Sequence, residues 1–143
     1  MRFVDTSIIV YAYDLSEKEK REKCKVLLEA GFRGEAKLAV SNQILAESFV
    51  VLTKKIEKPT TIEKARTIVE GIIESDNWVK TDYNSDTVRR AILIAAKIKN
   101  THFWDAIIAE TMMENQVYEI YTENIKDFGR FPGIRAINPM LEE

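Results

Sequence analysis

Cysteine and histidine are nearly missing from this chain, with Cys24 and His102 the sole members of their kinds. One thiol can form no internal disulfide, so a reducing, cytoplasmic compartment is the expected home. One imidazole cannot supply a catalytic histidine pair, which excludes metal-free nucleases of the paired-imidazole kind. It also excludes zinc sites rich in His and Cys. Proline and glycine are scarce, at three and five copies, and there is no linker-like stretch, low-complexity tract or internal repeat. The 143 residues are therefore expected to form one domain, 1–143, long enough to bury a core without staples. No apolar run approaches the length of a membrane span, and Asp5 interrupts the N-terminal apolar stretch, so neither a membrane anchor nor a signal peptide is expected. Excess positive charge is missing too: the net charge is −2 and the pI is near 5.6. A protein that holds nucleic acid by phosphate neutralisation alone is usually basic. A nucleic-acid partner here would need local basic patches, or metal ions to supply the positive charge.

What is present is alternation. Short apolar runs at Arg2 to Asp5, "KLAVS", "NWVKTD", "YEIYT" and "IRAIN" read as five strands. Between them lie segments of helical spacing. Ser7 to Tyr13 predicts a helical turn or two. Ser16 with Glu19 and Thr60 with Glu63 have capping-box spacing and open two helices. The first carries Cys24, Leu27 and Leu28 on one side, the second Ile62, Ala65, Val69, Ile72 and Ile73. Leu45, Phe49, Leu52 and Ile56 mark a helix from Asn42 that Pro59 stops. Val88, Ala91, Ile92 and Ala95 mark another, and Trp104, Ile107, Ile108 and Met112 a last. Such alternation implies an α/β fold, a largely parallel sheet covered by helices on both faces. Ligands in such folds bind beyond the carboxyl ends of the strands, where the strand order reverses.

Against that pattern, several acids stand where apolar residues are expected. Asp5 ends the first strand; its plain reading is a turn or helix cap. Glu47 lies on a helix among Ile44, Val50 and Val51, where a carboxylate costs several kcal/mol unless it is paired or binds a metal. An ion pair with a distant lysine would serve equally well. Asp105, in "HFWDAII", suits a helix N-terminus, yet the apolar surroundings would bury its charge. "YTENIKDF" places Thr122, Glu123, Asn124 and Asp127 after the fourth strand, where a polar turn is the plain reading. Taken together, two acid-bearing segments leave strand ends and two occupy helices able to flank them. Converging carboxylates repel, and the usual remedy is a hard divalent cation with oxygen ligands. Without a cysteine cluster or a second histidine, that ion would be Mg²⁺ or Mn²⁺, fit for in-line phosphoryl displacement.

The ordered set "FVDTSIIVYAYD", "SNQILAESFVVL", "HFWDAIIAETMMEN" and "YTENIKDFGRFPGIRAINP" resembles the PIN-domain ribonucleases, and among them the VapC-like toxins of toxin–antitoxin systems. The resemblance spans essentially the whole chain. It implies a three-layer α/β/α sandwich with strand order 3-2-1-4-5. It implies a Mg²⁺- or Mn²⁺-dependent endoribonuclease in which Asp5, Glu47 and Asp105 are the principal metal-binding and catalytic acids. Asp127 is matched to the variable fourth acid, with Glu123 as an alternative. Thr6, Thr122 and Asn124 are matched to supporting positions. A homodimer and a cognate antitoxin are the implied partners besides RNA. Lys54, Lys55, Arg89, Arg90 and Arg130 are candidate RNA contacts whose plain reading is solvated surface. Two other classes stay open: a non-catalytic PIN-like RNA-binding or scaffold domain, and a haloacid-dehalogenase-like phosphohydrolase. The latter would need an Asp where the chain has Ser7.

Overall fold

Five short strands, β1 (Arg2–Val4), β2 (Leu38–Ser41), β3 (Trp78–Thr81), β4 (Glu119–Tyr121) and β5 (Arg135–Ile137), pair in parallel in the order β3-β2-β1-β4-β5. This is a computed structural model, and it describes residues 1–141. Phe3, Val4, Ala39, Val40 and Ile120 are wholly buried, as strands covered on both faces must be. Seven helices flank the sheet among the described residues: α1 (Thr6–Tyr11), α2 (Lys18–Phe32), α3 (Asn42–Lys54), α4 (Ile62–Glu74), α5 (Ser85–Lys97), α6 (Phe103–Glu114) and the one-turn α7 (Ile125–Phe128). α1 packs on α2 and α3, α3 on α4, and α5 on α6. The expected three-layer α/β/α sandwich and its strand order are what the chain adopts.

Local chemistry accounts for the helix starts, with two corrections. Ser41 caps α3, its hydroxyl accepting the Ile44 N–H at 3.3 Å. The cap of α4 is Thr61, whose hydroxyl accepts from the Lys64 N–H; Thr60 instead turns its hydroxyl to the Thr61 carbonyl. Ser16 caps nothing, because its N–H and hydroxyl both donate to Asp14. Asn84 and Thr87 form a reciprocal capping box at α5. The apolar patterns of α4, α5 and α6 also claim too much core. Ile62, Ile73, Ile92 and Trp104 are exposed, while Val69, Ile72, Ala91, Ile107 and Met112 are buried. Helical spacing marks a stripe but not its width.

One glycine sits at a close approach. A Cβ on Gly31 of α2 would lie 2.5 Å from Leu38 Cδ1 and 3.2 Å from Trp78 Cζ2, so a side chain there would force Leu38 to shift where α2 packs on β2 and β3.

The functional consequence of the strand order lies at β1. Its two neighbours are β2 and β4. The chain leaves β1 toward β2 and returns much later to β4, so the order reverses between β1 and β4. The register pairs Val4 with Tyr121, so Asp5 and Thr122, the next residue on each strand, emerge side by side.

Candidate active site

Asp5 is the anchor. Its N–H still bonds to the Tyr121 carbonyl at 2.9 Å, which fixes its backbone as an extension of β1. One carboxylate oxygen caps α1 by accepting the Thr6 N–H at 2.8 Å. The other accepts the Thr122 hydroxyl at 2.8 Å and the Ser7 hydroxyl at 3.4 Å. The residue is therefore a helix cap, but a cap only 7% exposed. Burial raises its pKa, the bonds from Thr122 and Thr6 oppose that rise, and the charge of Glu47 adds to it.

Glu47 reaches the same place from α3. Gln43, one turn earlier, donates from Nε2 to Glu47 Oε1 at 2.6 Å and to the Trp104 carbonyl at 3.2 Å. That amide ties α3 to the start of α6, where Asp105 lies in the first turn. Among the described residues, the Asp105 carboxylate has no hydrogen-bond donor and no ion pair. Burial pushes its pKa up to about 6; Asp5, Asp127 and Glu47 push the same way, and His102 opposes them. The charges of Asp5 at the start of α1, Glu47 on α3 and Asp127 on α7 thus all bear on Asp105.

The last of these sits less centrally. Asp5, Glu47, Asp105 and Asn124 line one cleft of about 470 Å³. Asp127, half-buried on α7, is near enough to raise Asp105 but does not line it. Glu123 is turned away, accepting from the Tyr11 hydroxyl at 2.7 Å and from Lys20 at 3.2 Å. Thr122 is wholly buried, holding Asp5 with its hydroxyl proton and accepting the Asn124 N–H at 3.0 Å. Thr6 lines the cleft, and its hydroxyl oxygen is buried with no partner among the described residues.

The donor set suits a hard cation. It is all oxygen, it carries several mutually repelling negative charges, and it includes an orphaned hydroxyl. Among the described residues no three acidic, imidazole or thiol side chains close into a ready cage. Mg²⁺ does not need one, since it keeps several waters and is commonly held by one or two carboxylates.

Of the candidate RNA contacts, Lys55 lines the cleft, and Lys54 and Arg89 are exposed. The Arg90 guanidinium is engaged by Glu110 at 3.4 Å and by Glu114, and so braces α5 against α6. Arg130 donates to the Asn100 carbonyl at 2.9 Å and so is partly committed to a loop. Sequence reading missed Ser7 and Gln43. It also missed the further acids Asp14, Glu17 and Glu57 around the cleft. Only Gln43 left a signal, its spacing of four from Glu47.

Comparison with known proteins places the fold. The family model described as PIN domain matches residues 2–133. A solved structure of Mycobacterium tuberculosis VapC20, a sarcin-ricin loop cleaving toxin, superposes with a TM-score of 0.67 at 18% identity, covering 94% of this chain and 99% of that one. A toxin–antitoxin complex from Klebsiella pneumoniae matches with a TM-score of 0.64 at 21% identity, covering 97% and 98%. At such identities the likeness speaks for the fold. No curated protein sequence matches the chain.

Proposed function

The chain belongs to the PIN-domain family, and on that premise we propose that it is a metal-dependent endoribonuclease, the toxin of a VapBC-type toxin–antitoxin pair. The observation that carries this reading is the meeting of Asp5, Glu47 and Asp105, from three separate elements, in one cleft at the strand-order reversal, with no cation among the described residues paired to any of them. Asp5, Glu47 and Asp105 would hold Mg²⁺ or Mn²⁺, with Asp127 behind them and Thr6, Thr122 and Asn124 in support. When bound, such an ion supplies Lewis acidity toward a phosphodiester and lowers the pKa of water.

The chain's own groups divide the remaining work. Thr122, Thr6 and Ser7 hold the Asp5 carboxylate in one orientation, and Gln43 does the same for Glu47. Lys55 at the cleft, with exposed Lys54 and Arg89, would take phosphates of the RNA backbone. The two structural relatives, an RNA-cleaving toxin and a toxin–antitoxin complex, support RNA as substrate and a cognate antitoxin as partner. We assign a homodimer contact to the apolar groove between α3 and α4, lined by Phe49, Val50 and Ile73, and a cytoplasmic location to the protein.

The test is cleavage of several RNAs with Mg²⁺, with Mn²⁺ and with chelator, alongside a small phosphate ester. Metal-dependent RNA cutting that Asp105→Asn lowers by at least about 100-fold, an order-of-magnitude expectation for lost charge stabilisation, with the ester untouched, is the expected result. Cutting that survives chelator, or that Asp105→Asn leaves intact, refutes the mechanism. Hydrolysis of the ester alone would point to the phosphohydrolase, and tight RNA binding without cutting to a non-catalytic PIN-like domain.

A further inference from the structure

Glu47 borders a second hollow besides the acidic cleft, of about 720 Å³, whose walls include Trp104, Tyr83, Asp82, Gln43 and Asn42. Trp104 is 59% exposed although it directly precedes Asp105, and its ring is held edge-on by Phe103 at a centroid distance of 6.0 Å. A large aromatic left open beside an active site is a stacking surface without its partner. Among the described residues no lysine, arginine or histidine lines the hollow, so it repels phosphate. Its polar equipment is mostly acceptors. Asp82 spends one oxygen on the Tyr83 N–H at 2.8 Å. Gln43 is 9% exposed; its amide hydrogens go to Glu47 and the Trp104 carbonyl, leaving Oε1 buried with no donor among the described residues.

A flat ring that offers N–H donors and carries no charge meets these conditions. We infer that this hollow is a nucleobase subsite that seats a guanine of single-stranded RNA next to the phosphate being cut. Single-stranded RNA is read in this way, by bases stacked on aromatic rings and hydrogen-bonded along their edges. Guanine presents two parallel donors, N1–H and the N2 amine, to one carboxylate. Adenine and cytosine each set a ring-nitrogen acceptor beside their single amine, and uracil flanks its one N–H with two carbonyls. Asp82, at the carboxyl end of β3, is the residue positioned to choose. The inference rests on the ribonuclease reading, because Glu47 belongs to both hollows and so places the base beside the metal-binding acids.

The experiment uses the full-length protein with Ca²⁺ in place of Mg²⁺ and electrophoresis to verify that the RNA stays intact. Four octanucleotides, uridine throughout except for G, A, C or U at one central position, are titrated in. Of the two tryptophans, Trp78 is 2% exposed, so acrylamide-quenchable emission reports Trp104. The G-containing RNA should bind about tenfold tighter than the others, the order expected from one stacked and paired base, and should shield Trp104 from acrylamide. Trp104→Leu should lose the tenfold gain with its circular dichroism unchanged. Asp82→Asn should abolish the preference for G while binding all-uridine RNA at least as well as the wild type. Equal binding of all four, no measurable binding, or a Trp104 already shielded by a second copy of the chain in the free protein would each overturn the inference. The two readings fail separately. RNA cutting in Mg²⁺ with no base preference sinks the subsite alone. A guanine preference without cutting sinks the nuclease and leaves the base site.

Discussion

Asp105→Asn offers the sharpest test of the acid cluster, because it changes charge and little else. Among the described residues no hydrogen bond is made to the Asp105 carboxylate, so the amide displaces no partner. Asp5→Asn is a poorer probe, since it sets an amide against the Thr122 hydroxyl, which already bonds the Asn124 N–H. The Asp105 pKa is pushed from 3.8 up to about 6, which corresponds to about 3 kcal/mol. The side chain is partly open to water, and screening reduces this to about 1–2 kcal/mol. The sign follows from proton binding. Between pH 4 and pH 6 the folded chain holds this proton more tightly than the unfolded chain. The penalty is thus absent below about pH 4, grows as pH rises, and is complete above about pH 6. In chelator at pH 7.5, Asp105→Asn should therefore melt about 3–7 °C above the wild type, and its stability should lose the decline across that window. Excess Mg²⁺ reverses the order: the wild type gains about 2.7 kcal/mol at a concentration 100-fold above its dissociation constant, and the variant gains far less. Differential scanning fluorimetry across pH, with and without metal, reads both effects. A variant that is less stable in chelator, or that responds to Mg²⁺ as the wild type does, refutes the argument.

Other outcomes are as definite. Thr122→Val removes a buried donor from Asp5 and should cost about 1–3 kcal/mol in urea denaturation; Thr122→Ser should restore most of it. Lys55→Ala should weaken RNA binding and reduce its salt slope by about one. Arg90→Ala should leave that slope unchanged and lower stability through Glu110 and Glu114, and a reversed pattern would restore Arg90 as an RNA contact. Gly31→Ala should cost about 1–3 kcal/mol by overpacking, detectable as a lower urea midpoint at unchanged slope. Sedimentation at about tens of micromolar, the concentration regime in which an obligate interface must hold, should show a dimer that Val50→Glu dissociates.

The strands were legible as short runs between turn residues, most clearly β1 and β2, where burial on both faces left little room for another reading. Their spatial order was not; it came from the resemblance, since nothing in periodicity says that β4 returns to the side of β1. Asp5, Glu47 and Asp105 stood out as charges in apolar company, and the cleft shows where those charges face. The ion pairs of Arg90 were not legible because its partners, Glu110 and Glu114, lie on a different helix, and pairing across α5 and α6 is invisible to local spacing. Trp104 was assigned to a core stripe for the same reason: its spacing from Ile107 and Ile108 is right, but the stripe is narrower than the pattern. The Thr60 cap fell one residue short because two adjacent threonines are equally able to cap.

The bond between Thr122 and Asp5 also has a consequence in time. It joins residues 117 positions apart, with one partner near the start of the chain and the other in its last fifth. During synthesis at roughly 5–20 residues per second, Asp5 precedes Thr122 by about 6–23 s. Through that interval the nascent polypeptide carries Asp5 without the hydroxyl that orients it, and β1 without the neighbour that completes the reversal. The cleft can thus be assembled only after β4 has been made and has joined β1, long after Asp5 itself.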